Sequence, residues 1–145
     1  MFKNILLATD GSKLCNESVK AAIELAKNCG SRVVGLSVAE HVPALSLADI
    51  SAGADVPQAR HAGHAKAVAN VELIANLAEK RGVPCTVQVT DGNQPYEEII
   101  RVAEKEKCDA IFMASHGKTA LERVFVGSQT QKILAKSKLP VVVFR

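Results

Sequence analysis

A chain of 145 residues with 48% hydrophobic and 23% charged residues has the make-up of one globular domain, long enough to bury most of its apolar surface in a single core. Lys and Arg number 18 against 15 Asp and Glu, and so small an excess, with no long basic run, argues against a nucleic-acid or membrane partner. The absence of Trp, with one Tyr and four Phe, leaves an aliphatic core and no aromatic platform on which bases would stack.

The chain opens on Met1 to Asp10, whose apolar run is far too short for a signal peptide or a membrane span, and charge follows it at once; this predicts a cytoplasmic protein. Ile5 to Ala8 has no helical period and reads as a strand buried on both faces. Ser12 is a good N-cap, and Val19, Ala22, Ile23 and Ala26 recur at helical spacing until Gly30, so a first helix is expected over Lys13 to Cys29. Arg32 to Ala39, with Val33, Val34, Leu36 and Val38, reads as a second strand parallel to the first. From Glu40 to Pro57 two prolines, a glycine and scattered alanines predict a long loop, with a helical turn around Ala44 to Ile50.

Ala67, Val71, Ile74 and Ala78 mark a second amphipathic helix that starts after Pro57 and stops at Gly82. Pro84 leads into a third strand over Cys85 to Thr90, and Asp91-Gly92-Asn93 is expected to turn the chain. Pro95 suits the first position of a third helix, Glu97 and Glu98 favour its positive end, and Ile99, Ile100, Val102 and Ala103 form its apolar face. Ala110 to Ala114 is a fourth strand, Ser128 to Ser137 a fourth helix with Ile133 and Leu134 facing in, and Val141 to Phe144 a fifth strand. Strands and helices alternate throughout without an internal repeat, which predicts a single α/β domain: a doubly wound parallel sheet with helices on both faces.

Cys15, Cys29, Cys85 and Cys108 are scattered without a C-x-x-C pair, as expected of reduced thiols rather than a disulfide frame or zinc site. His61 and His64 stand one helical turn apart with His41 upstream, but no carboxylate or cysteine is arranged with them in sequence, so they read as solvated imidazoles and no metal site is assigned.

Chemistry concentrates in two stretches. One is Thr9-Asp10-Gly11-Ser12 after the first strand; the other is Ala114-Ser115-His116-Gly117-Lys118 after the fourth, followed nine residues beyond Gly117 by Gly127-Ser128 at the start of a helix. Glycine lets backbone approach an anion, and the first free N–H groups of a helix point at it, so the second stretch suits phosphate. Backbone N–H groups of Ser115, His116 and Gly117 would face the phosphates, Gly127 and Ser128 would close round the other side, and Lys118 and Arg123 are placed to add charge. His116 has no sequence partner to orient it as an acid or base, and no catalytic residue is assigned.

The glycine at 117, the nine-residue gap and Gly127-Ser128, taken with Thr9 to Ser12, resemble the universal stress protein family over nearly the whole chain, from Lys3 to Val143. ATP-binding members carry a glycine, two residues, a glycine, nine residues, then glycine and Ser or Thr; Ala114 stands here for the first of these glycines. The resemblance implies a three-layer, Rossmann-like adenine nucleotide alpha hydrolase-like fold with strand order 3-2-1-4-5. It also implies an ATP site at the carboxyl ends of strands 1 and 4, built from Thr9, Asp10, the main chain of Val38, Ala114 to Lys118, and Gly127, Ser128, Gln129 and Thr130. Mg²⁺ would be held mainly by the phosphates, and hydrolysis would be slow at most. The function implied is that of a stress-response or regulatory binding protein; the alternative is a nucleotide-free dimer acting through protein contacts. The β-branched run Val141-Val142-Val143-Phe144 at an edge of such a sheet is a pairing template. Together with the resemblance, it predicts a homodimer through the fifth strand.

Overall fold

The computed structural model describes residues 2–40, 51–53, 56–115 and 127–144. The helical turn expected around Ala44 to Ile50, together with His41, His116, Gly117, Lys118 and Arg123, lies outside the described residues. Within them the chain alternates β1 (Asn4–Ala8), α1 (Lys13–Cys29), β2 (Arg32–Glu40), α2 (Val56–Arg81), β3 (Cys85–Gly92), α3 (Pro95–Lys105), β4 (Ala110–Ala114), α4 (Ser128–Lys136) and β5 (Val141–Phe144). The strands form one five-stranded parallel sheet in the order β3-β2-β1-β4-β5, as the resemblance implies.

Side-chain alternation along the strands divides the core into two layers. Ile5, Leu7, Val33, Ala110 and Phe112 point to one face and pack against Val19, Ala22, Ile23 and Ala26 of α1 and Ile74 and Ala78 of α2. Leu6, Ala8, Val34, Leu36, Ile111 and Met113 point to the other, against Tyr96, Ile99, Val102 and Ala103 of α3 and Ile133 of α4. β1 beyond Asn4 and the whole of β4 are covered on both sides, which is why Ile5 to Ala8 and Ala110 to Ala114 are unbroken apolar runs. Among the described residues no helix is long and apolar enough to cross a membrane.

The sheet can lie close to α2 because Gly35 has no side chain. A methyl at that position would stand 3.0 Å from Cγ2 of Ile74 and 3.0 Å from Cγ1 of Val87. At the opposite end of the strands the Asp109 carboxylate accepts from the N–H groups of Lys3 and Asn4, tying the start of β4 to the start of β1. The Asn4 amide in turn donates to the carbonyl of Glu106 at 2.7 Å, closing the C-terminus of α3.

Three local expectations are corrected. The chain does not turn at Asp91: β3 continues to Gly92, because Asp91 and Gly92 pair with Ala39 and Glu40 of a β2 that is itself one residue longer than expected. Leu134 faces solvent at 50% exposure, since α4 turns only the stripe of Thr130 and Ile133 inward and the next residue is rotated away from it. The second helix starts at Val56, ahead of Pro57, which stands in its first turn where a missing N–H breaks no intrahelical bond.

Candidate functional site

The strand order reverses between β1 and β4, whose carboxyl ends lie side by side with Leu7 opposite Phe112. In open α/β sheets this is where the flanking loops part and leave a crevice. The two stretches singled out in the sequence leave the sheet there.

Past the end of β1, Thr9 remains tied to the sheet through its N–H to the Leu36 carbonyl at 2.9 Å, and its hydroxyl accepts from the N–H of Gly11 at 3.1 Å. The Asp10 carboxylate accepts from the N–H of Ser12 at 2.9 Å, a local turn that presents the half-buried acid at the head of α1. Ser12 then caps α1 by accepting from the N–H of Cys15. Gly11 has φ +74, a conformation that side chains disfavour, so the turn depends on glycine there. Burial pushes the Cys15 thiol above its ordinary range, and the carboxylate of Asp10 beside it adds to that rise. The thiol therefore stays protonated at neutral pH.

Past the end of β4, Ser115 is 1% exposed and acts as a junction: its N–H donates to the Phe144 carbonyl and its own carbonyl accepts from the N–H of Gly127, both at 2.7 Å. Residues 115 and 127 are thereby held together and α4 begins beside the end of β4, while the N–H of Ser115, expected to face phosphate, is instead given to the edge strand β5. Gly127 is the N-cap of α4 at φ −56 and ψ 150, so its backbone alone does not call for glycine. Among the described residues the first turn of α4 has no side-chain cap, and it contains no acidic residue, which leaves the positive end of its dipole fit for an anion. Ser128 is exposed at that turn.

The remaining predicted positions divide. The Thr130 hydroxyl is buried and donates to the Ala114 carbonyl at 3.3 Å, locking α4 to β4. The Gln129 side chain turns to α3, where its Oε1 accepts from the N–H of Tyr96 at 3.1 Å. Both side chains thus do structural work that brings the first turn of α4 into place. Val38, half-buried, sits near the end of β2 opposite Thr90 with its side chain against the second core layer. Ala114 is buried, and the alternation along β4 sends its methyl to the same side as Phe112.

Asn70 of α2 was not anticipated from the sequence. It reaches this crevice, donating to the buried Ser37 hydroxyl at 3.3 Å and standing against Gly11. The available signal is a polar residue one turn beyond Ala67 and one turn before Ile74, inside the stripe that faces the sheet. His64 lies 3.7 Å from the Asp91 carboxylate, and the described residues include no group of three or more side chains able to hold a metal.

Comparison with known proteins places this geometry. The sequence profile described as the universal stress protein family matches residues 1–145. The universal stress protein MJ0531 of Methanocaldococcus jannaschii is 30% identical over 145 residues, all of this chain and 83% of the relative. Among solved structures, that of hypothetical protein MJ0577 superposes with a TM-score of 0.83 at 29% identity, covering 99% of this chain and 96% of its own. A universal stress protein from Archaeoglobus fulgidus, solved in complex with dAMP, shares the fold at a TM-score of 0.68 and 16% identity, with 100% and 98% covered.

Proposed function

Since the chain belongs to the universal stress protein family, we propose that it is a cytoplasmic regulatory protein that binds ATP at the carboxyl ends of β1 and β4. The observation that carries this reading is the junction at Ser115, whose carbonyl holds Gly127 and so sets the uncapped first turn of α4 beside the β4 loop, across the switch point from Asp10. An acidic acceptor on one side and, on the other, a helix N-terminus with no side-chain cap among the described residues suit the two ends of a nucleotide, a ribose hydroxyl and a phosphate chain. Asp10 would take the ribose, the main chain at Val38 the adenine edge, and the N–H groups of His116, Gly117 and Ser128 the phosphates, those of Ser115 and Gly127 being engaged by the Phe144 and Ser115 carbonyls. Lys118 would add charge there, and Mg²⁺ would ride mainly on phosphate oxygens. The A. fulgidus relative solved with dAMP supports an adenine nucleotide as the ligand class.

No residue is assigned to hydrolysis, and occupancy itself would be the signal. Purified protein, once denatured, is expected to release adenine nucleotide detectable by mass spectrometry, and titration calorimetry is expected to show ATP binding that Gly127→Val abolishes by filling the space where backbone must meet phosphate. Wild type and variant equally inert toward ATP would leave the second reading, a nucleotide-free dimer, which the alanine at position 114 favours. Either reading includes a homodimer through β5, whose Val141 to Phe144 are all half-buried on an edge that no described strand covers.

A further inference from the structure

The residues assigned to adenine and ribose come from different strands, and something must fix the distance between them. Val38 lies on β2, and Asp10 lies in the loop after β1. Their immediate neighbours, Ser37 and Gly11, are both engaged by one side chain of α2. The Asn70 Nδ2 donates to Ser37 Oγ at 3.3 Å, and Ser37 is 2% exposed. With the nitrogen turned to Ser37, Oδ1 is directed at Gly11; a methyl built on Gly11 would collide with Oδ1 and lie 2.7 Å from the Asn70 Cγ. The Asn70 carboxamide therefore occupies the space that a side chain at position 11 would need. An amide in a stripe that is otherwise Ala67, Val71, Ile74 and Ala78 gives up apolar burial, which a purely structural position would favour.

We propose that Asn70 is the positioning residue of the nucleotide site, a strut that sets the Thr9 to Ser12 loop against the end of β2 so that Asp10 and the main chain of Val38 meet the ribose and adenine of one nucleotide. The inference rests on the ATP reading above. Asn70 itself touches no ligand; it acts through Gly11 and Ser37. Its carboxamide carries an NH₂ on one side and an oxygen acceptor on the other, and the NH₂ side gives one of its two N–H groups to Ser37. That commitment orients the oxygen and the loop packed on it.

The test is a double-mutant cycle on the full-length protein, with ATP affinity by calorimetry, melting temperature, and the backbone amide resonances of Thr9 to Ser12 as readouts. Asn70→Ala is expected to weaken ATP binding by about tenfold, the size expected when a buried polar contact is lost. Asn70→Leu keeps the branched heavy-atom shape, with bulkier methyl ends, but cannot donate to Ser37, and is expected to lose affinity to a similar extent. Both are expected to shift the Gly11 amide resonance before nucleotide is added. Gly11→Ala should lose affinity alone, and Gly11→Ala with Asn70→Ala should lose less than the product of the single losses, because the clash is gone. Asn70 variants that bind ATP as wild type does, whatever their melting temperatures, or single losses that simply multiply, would overturn the inference while leaving the nucleotide reading intact. A wild type that neither carries nor takes up adenine nucleotide would overturn the nucleotide reading and this inference with it.

Discussion

Lys107 has φ 54, left-handed backbone at a position where glycine would be at ease. It follows the C-terminus of α3, where the chain reverses so that the N–H of Cys108 can reach the Ala103 carbonyl at 2.8 Å. A side chain in that conformation costs about 1 kcal/mol. Lys107→Gly is expected to raise stability by about 0.5 kcal/mol after the greater freedom of the unfolded glycine is subtracted; a urea midpoint that falls or stays put would refute the strain. Next to it, burial above all, then the charges of Glu106 and Asp109, push the Cys108 thiol up from an ordinary 9.0 to about 11. An acid whose folded pKa lies above its unfolded value holds its proton more tightly when folded, so its contribution is complete below pH 9 and is lost as pH rises towards 11. Wild type is therefore expected to lose stability across that window more steeply than Cys108→Ala; parallel stability curves would show that the thiol is not responsible.

At the scale of elements, the contact of α2 with the sheet depends on one missing side chain. Gly35→Ala would put a methyl 3.0 Å from both Ile74 and Val87, tighter than packed carbons tolerate, with neighbours on two elements obliged to move. A loss of about 1–3 kcal/mol is expected in chemical denaturation. Combined with Ile74→Ala, which vacates the space, the cost should be smaller than the sum of the two single costs. Additive costs would place the strain elsewhere. The same reasoning explains why the second helix was legible in the sequence and its neighbour β3 less so. The stripe from Ala67 to Ala78 is periodic and all buried, whereas β3 is an edge strand whose residues are mostly half-exposed. Its last two residues, Asp91 and Gly92, have turn chemistry in sequence but are drawn into the ladder by Ala39 and Glu40.

For the whole molecule, the proposed dimer has a phase that can be read from the ladder. Ile111 and Ser115 donate to the carbonyls of Pro140 and Phe144. Because N–H and C=O of one strand residue point the same way, Pro140, Val142 and Phe144 face β4, while the N–H groups of Val141 and Val143 face the open edge. Val143→Pro is thus expected to remove a donor that a second copy would use and to yield a folded monomer in sedimentation. Val142→Pro would instead break the β4–β5 ladder and lower stability. A wild-type monomer at micromolar concentration, or a Val143→Pro variant that stays dimeric, would dispose of pairing through β5.

What the sequence by itself determined is the order of the elements and, to within a few residues, where most of them start and stop. Local physics writes those directly: Ser12, Gly30, Gly82 and Pro95 punctuate the helices, and strands covered on both faces must be continuously apolar. The strand order came with the family resemblance carried by Gly117 and Gly127-Ser128, not from periodicity. The tertiary structure alone decided that Ser115 holds Gly127, that Gln129 and Thr130 brace helices, that Leu134 faces out, and that Asn70 stands against Gly11. Each of these is a contact between segments far apart in the chain or a choice between adjacent helical positions. Periodicity specifies which face of an element is apolar; which neighbour that face meets, and which polar atom reaches across to it, follows only once the sheet has brought the segments together.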